Sequence, residues 1–328
     1  MTRYIPEKYR QSSFKVGEIG VTFNQTLRVP ETHLNALPAG LGNFPLYKVT
    51  DFRSATPAEW RDDAVFMPVY PQEAMWMRFS QSDRPQALIV GAGQINAING
   101  KPFDPSKVNK GERSRLEVAL DGKNQNYIVV PPQPWLDGWK AEDGKVYQFV
   151  AAEMGSGQTV EGQITGEESE GGIQFIVYNS VKSLPRVAGP GLLGGGVLYG
   201  GLESLGGMKS IGATRGVMRS AATSMGLGRG GEIEQKIYPD PYGVEVWNNT
   251  PAEAVVLYMV SSNDFKQVTG YDAPATPVTE EEYRRRGIPW FKLADGHMAD
   301  TKGSDVFGKL KPVSSGTGNP LDKLKKKG

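Results

Sequence analysis

From about residue 62 the chain is written in short apolar or alternating runs: Ala64–Tyr70, Ala74–Phe79, Gln86–Val90, Arg115–Leu120, Asn126–Val130, Lys145–Ala152, Gln158–Ile164 and Gly172–Tyr178. Each has the length of a strand rather than of a helix. Asn99-Gly100, Asp121-Gly122, Asp137-Gly138 and Asp143-Gly144 fall between several of them, and such pairs supply the positive φ that tight hairpins require. Strand patterning returns at Glu232–Tyr238, Val244–Trp247 and Ala254–Val260. The last of these is apolar at alternate and intervening positions alike, which predicts a strand covered on both faces. Val160 and Ile164 alternate with Thr159, Glu161 and Gln163, which reads as a half-buried strand. The expected class is all-β, mainly an antiparallel sandwich, with a Gly-rich insertion and a short C-terminal helix.

Five segments follow from this pattern. Residues 1–60 hold Pro6, Pro30, Pro38, Pro45 and Pro57 and read as an irregular arm or a few edge strands. Residues 61–185 form the first part of the sandwich. Residues 186–231 form a basic Gly-rich insertion, with 15 Gly between Gly189 and Gly231. Residues 232–300 form the second part, with a helix opened by Thr279 and Glu282 at capping-box spacing and closed by Gly287. Residues 301–328 form a flexible basic tail. The similar strand vocabulary on both sides of the insertion favours one interrupted domain; a true boundary near residue 185 is the alternative.

Composition narrows the chemistry. The 328 residues include 41 Gly, 23 Pro, two His and no Cys. Thiolate sites, a Cys nucleophile and a disulfide scaffold are excluded, and no metal or other cofactor is expected. Charged residues at Arg3, Glu7, Lys8 and Arg10 and no following apolar core argue against a secretory signal, so the default compartment is cytoplasmic. The longest charge-free apolar stretch, Val187–Leu202, has 16 residues of which 7 are Gly, short of the roughly 20 apolar residues of a spanning helix.

Charge is uneven along a chain whose net charge is +1. Between Lys182 and Gly230, Lys182, Arg186, Lys209, Arg215, Arg219 and Arg229 are opposed only by Glu203, and seven Lys face two Asp from Thr301 on, so the remaining body is acidic. Lys209, Arg215, Arg219 and Arg229 are the candidate contacts to an anion or partner. The partner is either a second copy of the chain or a polyanion such as nucleic acid or an anionic membrane surface.

Candidate catalytic patterns are thin. Gly91-Ala92-Gly93 follows an apolar run, but Asn99-Gly100 and Pro102 leave no room for the helix a dinucleotide site needs, so a strand with a glycine bulge is expected. Met154–Thr159 lacks a phosphate-loop Lys. Glu73, Asp137, Glu153 and Glu161 show no paired spacing, and neither His33 nor His297 sits near a nucleophile motif. Trp135, Asp137 and Trp139 surround one turn; they form either a stacking platform for a glycan or a piece of core.

The blocks Pro71–Trp76 (PQEAMW), Ile95–Ala97 (INA), Pro134–Gly138 (PWLDG), Met225–Gly228 (MGLG), Ile237–Gly243 (IYPDPYG) and Gly287–Phe291 (GIPWF) resemble, in order and over residues 60–292, a set of bacterial and fungal proteins without an established activity. The resemblance implies a shared fold and carries over no catalytic residue. A non-enzymatic binding or self-assembling structural protein is therefore the leading expectation. A carbohydrate-binding or carbohydrate-active protein comes second, and a nucleic-acid or anionic-membrane binder third.

Overall fold

In a computed structural model, the chain is described at residues 3–80, 83–103, 125–142, 145–187, 224–275 and 299–314, plus the paired dipeptides at 192–193 and 292–293. Strands and helices are numbered here in chain order. One sheet contains β1 (Phe14–Val16), β2 (Ile19–Thr26), β3 (Gly42–Asn43), β6 (Ala74–Ser80), β10 (Trp135–Leu136), β11 (Gly138–Lys140), β12 (Lys145–Glu153) and β15 (Met225–Glu234). The other contains β4 (Tyr47–Lys48), β5 (Val65–Val69), β7 (Gln86–Ala92), β8 (Ile95–Asn96), β9 (Ile128–Val130), β13 (Ile173–Asn179) and β16 (Glu253–Ser261). All pairings are antiparallel except that of β16 with β5. The dipeptides β14 (Leu192–Leu193) and β17 (Lys292–Leu293) pair with each other. The architecture is the all-β sandwich that the alternating runs predict.

The sheets meet through side chains of period two. Phe14 and Phe23 of the first sheet reach Phe175 of the second at ring separations of 5.6 and 6.3 Å. Val21, Met75, Met77, Phe149, Leu88, Val90, Val177 and Leu257 fill the same layer. Each such buried side chain contributes about 1.5–3 kcal/mol. The second sheet is covered on its outer face as well. Ile89, Ile176 and Tyr178 pack under Tyr127 and Trp247, while Phe66, Tyr258 and Val260 pack under Phe52, Trp60 and Phe265. This double burial is why β16, between β13 and β5, is apolar along both faces.

Strands on the two sides of the Gly-rich stretch pair in both sheets, β12 with β15 and β13 with β16. Of the two readings of residues 1–60, strands rather than an irregular arm are found, and β2 lies between β1 and β6 rather than at an edge. These residues supply β1 to β4, and β2 pairs with β6 from Gly20↔Ser80 to Thr26↔Ala74. The prolines fall outside these strands, and Ile19–Thr26 is free of them. The Gln158–Ile164 run is not a strand either. Its Val160/Ile164 spacing serves equally as i,i+4 of a helix, and α1 (Val160–Thr165) is capped by the Thr159 hydroxyl, which accepts from Gly162 N, and ended by Gly166 at φ 82°.

Two further corrections concern the basic segments. The end of the insertion, Met225–Gly231, lies in β15 and so belongs to the sandwich. The first half of the basic tail is part of the fold: Thr301 and Phe307 are buried, a helix α3 (Asp305–Lys309) follows α2 (Phe265–Thr269), and Val313 N donates to Arg229 O at 2.8 Å. The pattern of Lys, Gly and Ser hid a few anchoring apolar residues. The Arg115–Leu120 strand, the 279–287 helix, most of the insertion and residues 315–328 lie outside the described residues. Among the described residues no helix is long and apolar enough to cross a membrane.

The glycines of β15 answer to close backbone approach. A Cβ at Gly231 would lie 2.4 Å from Pro30 O, and one at Gly228 would lie 2.6 Å from Gln158 O. Gly308, in α3, faces open space. Gly231→Ala should therefore lower unfolding stability by about 1–3 kcal/mol, whereas Gly308→Ala should leave it unchanged or raise it by up to about 1 kcal/mol. Urea titrations of the two variants check this, and equal effects would contradict the packing described.

Candidate functional site

The sequence candidates converge on one corner, where β10 turns into β11. Gly138 allows the turn: a Cβ there would lie 1.9 Å from Tyr147 O. The turn directs Trp135 outward, against Val29, Leu37, Trp76 and Ile233. Trp139 is sent inward, with ring separations of 5.1 Å to Phe149 and 5.2 Å to Phe307. Its indole N–H donates to Gly228 O at 3.1 Å. Trp135 is 3% exposed, and Trp139 and Asp137 are 0% exposed. The stacking platform for a glycan is thus not at the surface; these rings belong to the packed interior, the other outcome the sequence left open.

Asp137 is the unusual group of this corner. Its backbone N–H donates to Gln235 Oε1 at 3.0 Å and its carbonyl accepts from Phe149 N at 3.1 Å, so the chain is held on both sides. Neither carboxyl oxygen has a hydrogen-bond partner. Burial pushes this carboxyl well above the usual carboxylate range. The nearby Trp135 indole opposes the shift, yet its N–H meets neither oxygen with hydrogen-bond geometry and is itself unpartnered.

Three residues on from Asp137, Lys140 is fully buried and its Nζ lies 2.5 Å from Asp300 Oδ2. Asp300 Oδ1 accepts from Ile237 N at 2.9 Å. Burial lowers the Lys140 pKa, against the pull of the Asp300 charge. This pair and Phe307 fasten the C-terminal segment to the sandwich.

Arg229, a candidate anion contact, is engaged within the protein. Its guanidinium lies over the Tyr147 ring at 3.7 Å, and Nη1 donates to Leu310 O at 2.5 Å. It holds the C-terminal segment instead of facing a ligand. Lys209, Arg215 and Arg219 lie outside the described residues.

The other carboxylates are also structural. Glu161 accepts from Ser169 N, Glu170 N and Gly171 N, each at 2.8 Å. Glu73 accepts from Tyr70 N at 2.8 Å. Glu153 ends β12 at the surface. The Gly91-Ala92-Gly93 run closes the β7–β8 hairpin, with Gly93 and Gln94 at φ 55° and 57°. No group of three His, Cys, Asp or Glu among the described residues could hold a metal.

Sequence reasoning did not single out Asp240 as a junction. Its Oδ2 accepts from Tyr127 OH at 2.5 Å and from Trp247 Nε1 at 2.7 Å, and Oδ1 accepts from Tyr242 N at 2.8 Å. The acid between two prolines in Ile237–Gly243 was the available signal. Nor was the open groove of about 510 Å³ between α1 and α3 foreseen. Ile164, Val306 and Leu310 line it together with Lys309 and Lys311.

Asp137 makes a pH prediction. Its folded pKa exceeds the unfolded value, so the folded chain retains a proton that the unfolded chain has lost. The stability tied to this group is full below the unfolded value of about 3.9 and falls as pH rises toward the folded value, at up to about 1.4 kcal/mol per pH unit. Asp137→Asn should match wild type near pH ~4 and exceed it increasingly toward pH ~8 in urea titrations, because the neutral amide abolishes the ionisation. A variant-minus-wild-type difference that does not grow with pH would refute the assignment.

Comparison of the chain with protein-family models, with curated proteins and with solved structures finds no match in any of the three.

Proposed function

We propose that this protein is a non-enzymatic binding and assembly protein: a β-sandwich scaffold that engages an acidic partner, in the first place a second copy of itself, through its lysine-rich C-terminal run. The observation that carries this reading is the anchoring of residues 299–314. Asp300, Phe307, Leu310 and Val313 tie this segment to both sheets' common core and to β15. Ser314 N donates to Gln158 Oε1 at 2.9 Å, so the segment is held as far as the last described residue. The sequence that follows carries Lys323, Lys325, Lys326 and Lys327 against one acid, Asp322. Lys311 stands at the adjoining groove beside Lys309, itself paired with Asp305, and the body is acidic elsewhere.

Charge complementarity between a basic segment and an acidic body favours head-to-tail association, since the two patches lie on different parts of the same chain. The roles of Asp137, Glu161 and Arg229 inside the fold support a scaffold more than a reaction centre. The glycan reading loses its platform with the burial of Trp135 and Trp139.

Deletion of residues 315–328 tests the proposal without disturbing the docked segment. In sedimentation velocity at low ionic strength the full chain should form concentration-dependent oligomers. The truncated chain should remain monomeric with an unchanged melting temperature, and ~0.5 M salt should dissociate the full chain by screening. A full chain that is monomeric at every salt concentration would reject self-assembly. Binding of that monomer to heparin or to anionic vesicles would transfer the reading to a polyanion partner.

A further inference from the structure

We propose that Lys140 and Asp300 form an intramolecular amide crosslink, closed by loss of one water between Lys140 Nζ and the Asp300 carboxyl carbon. The motivating observation is a contact at 2.5 Å between a fully buried ammonium nitrogen and a carboxyl oxygen 160 positions away in sequence. The amine nitrogen is thereby held within hydrogen-bond reach of the carboxyl group it would attack.

Both reactants are held by backbone. Lys140 N donates to Ala97 O at 2.8 Å and Lys140 O accepts from Ser304 N at 3.0 Å. Thr301 N donates to Ile237 O at 2.8 Å, immediately beside Asp300. Gly303 brings the segment so close that a Cβ there would lie 1.8 Å from Ala141 O. The partners therefore have almost no freedom to separate, and the effective concentration of amine at the carboxyl is high.

The chemistry of the pair is suited to condensation. The reacting nucleophile is the free amine, and burial favours that form of Lys140. One proton passes from Nζ to Asp300 Oδ2, leaving a neutral amine beside a neutral carboxyl. The nitrogen lone pair then attacks the carboxyl carbon. Negative charge develops on Oδ1, which already accepts the Ile237 N–H at 2.9 Å, a donor placed as in an oxyanion hole. A second proton moves from nitrogen to Oδ2, the carbon–Oδ2 bond breaks, and water leaves. One N–C bond forms and one C–O bond breaks, with no change in oxidation state and no co-reactant. The Asp300 side chain keeps 22% exposure, which gives the water an exit. Replacing a desolvated ion pair with a neutral amide also removes the burial cost of two charges.

Intact-protein mass spectrometry of the purified full chain, followed by tryptic mapping, tests this. The expected result is a mass lower by one water than the sequence requires, no tryptic cleavage after residue 140, and a branched peptide joining the Lys140 and Asp300 segments. Lys140→Arg keeps the cation and should restore the full sequence mass. An intact mass equal to that of the sequence, with cleavage after Lys140, overturns the proposal. So does a water loss that maps to Asp121, Asp137 or Asp143, each followed by Gly, and is reversed by mild alkaline hydrolysis, because that is a succinimide. Mapping of the wild-type chain decides the matter even if the variant fails to fold.

Discussion

A ten-residue strand with four glycines, β15, runs along the margin of the first sheet, and the rest of the structure depends on how its outer edge is covered. An unpaired edge of that length exposes a row of N–H and C=O groups to other chains. Here Asn35 bridges to Ile233, Thr159 to Gly228 and Pro312 to Arg229. Three segments distant in sequence press onto one strand, and they can do so because Gly226, Gly228 and Gly231 carry no side chain to hold them off.

That covering organises the candidate site. The segment ending at Val313 reaches β15 only because Asp300 is fixed at Lys140 and Phe307 is seated on Trp139. Arg229 then spans from the Tyr147 ring to Leu310 O. Between this segment and α1 lies the lysine-flanked groove. A single chain of contacts thus runs from the β10–β11 turn through the interior to the point where the lysine-rich run begins.

Polar groups inside the sandwich divide by how they are satisfied. Asp240 and Glu161 are surrounded by N–H or O–H donors and act as junctions between loops. Lys140 has one carboxylate partner. Asp137 has none at its carboxyl, and its protonated form is favoured by the apolar surroundings. An unpaired buried carboxyl costs stability, and the hydrogen bonds of its own backbone and of Gln133 and Gln235 to Trp135 O are what hold it in place.

The class of fold and the doubly buried character of β16 are readable from the residues alone, because period-two alternation and continuous apolar runs are direct consequences of strand geometry and burial. Of the expected turn pairs, Asn99-Gly100 has its glycine at φ 69°, whereas Gly138 of Asp137-Gly138 opens β11 without a positive φ, and Asp121-Gly122 and Asp143-Gly144 lie outside the described residues. The sequence also shows that Trp135, Asp137 and Trp139 share one turn, but not which way they point. Their directions are set by packing, through a change of face between β10 and β11 that local patterning does not record. Packing likewise makes Val160–Thr165 a helix, a spacing that suits either element until caps and neighbours choose. The prolines of residues 1–60 and the lysines of residues 301–314 obscured segments whose order comes from a few distant contacts, such as β2 on β6 and Phe307 on Trp139. Contacts across 160 positions, Lys140 to Asp300 among them, leave no periodic trace in a sequence, because they are set by where the sheets bring the chain back together.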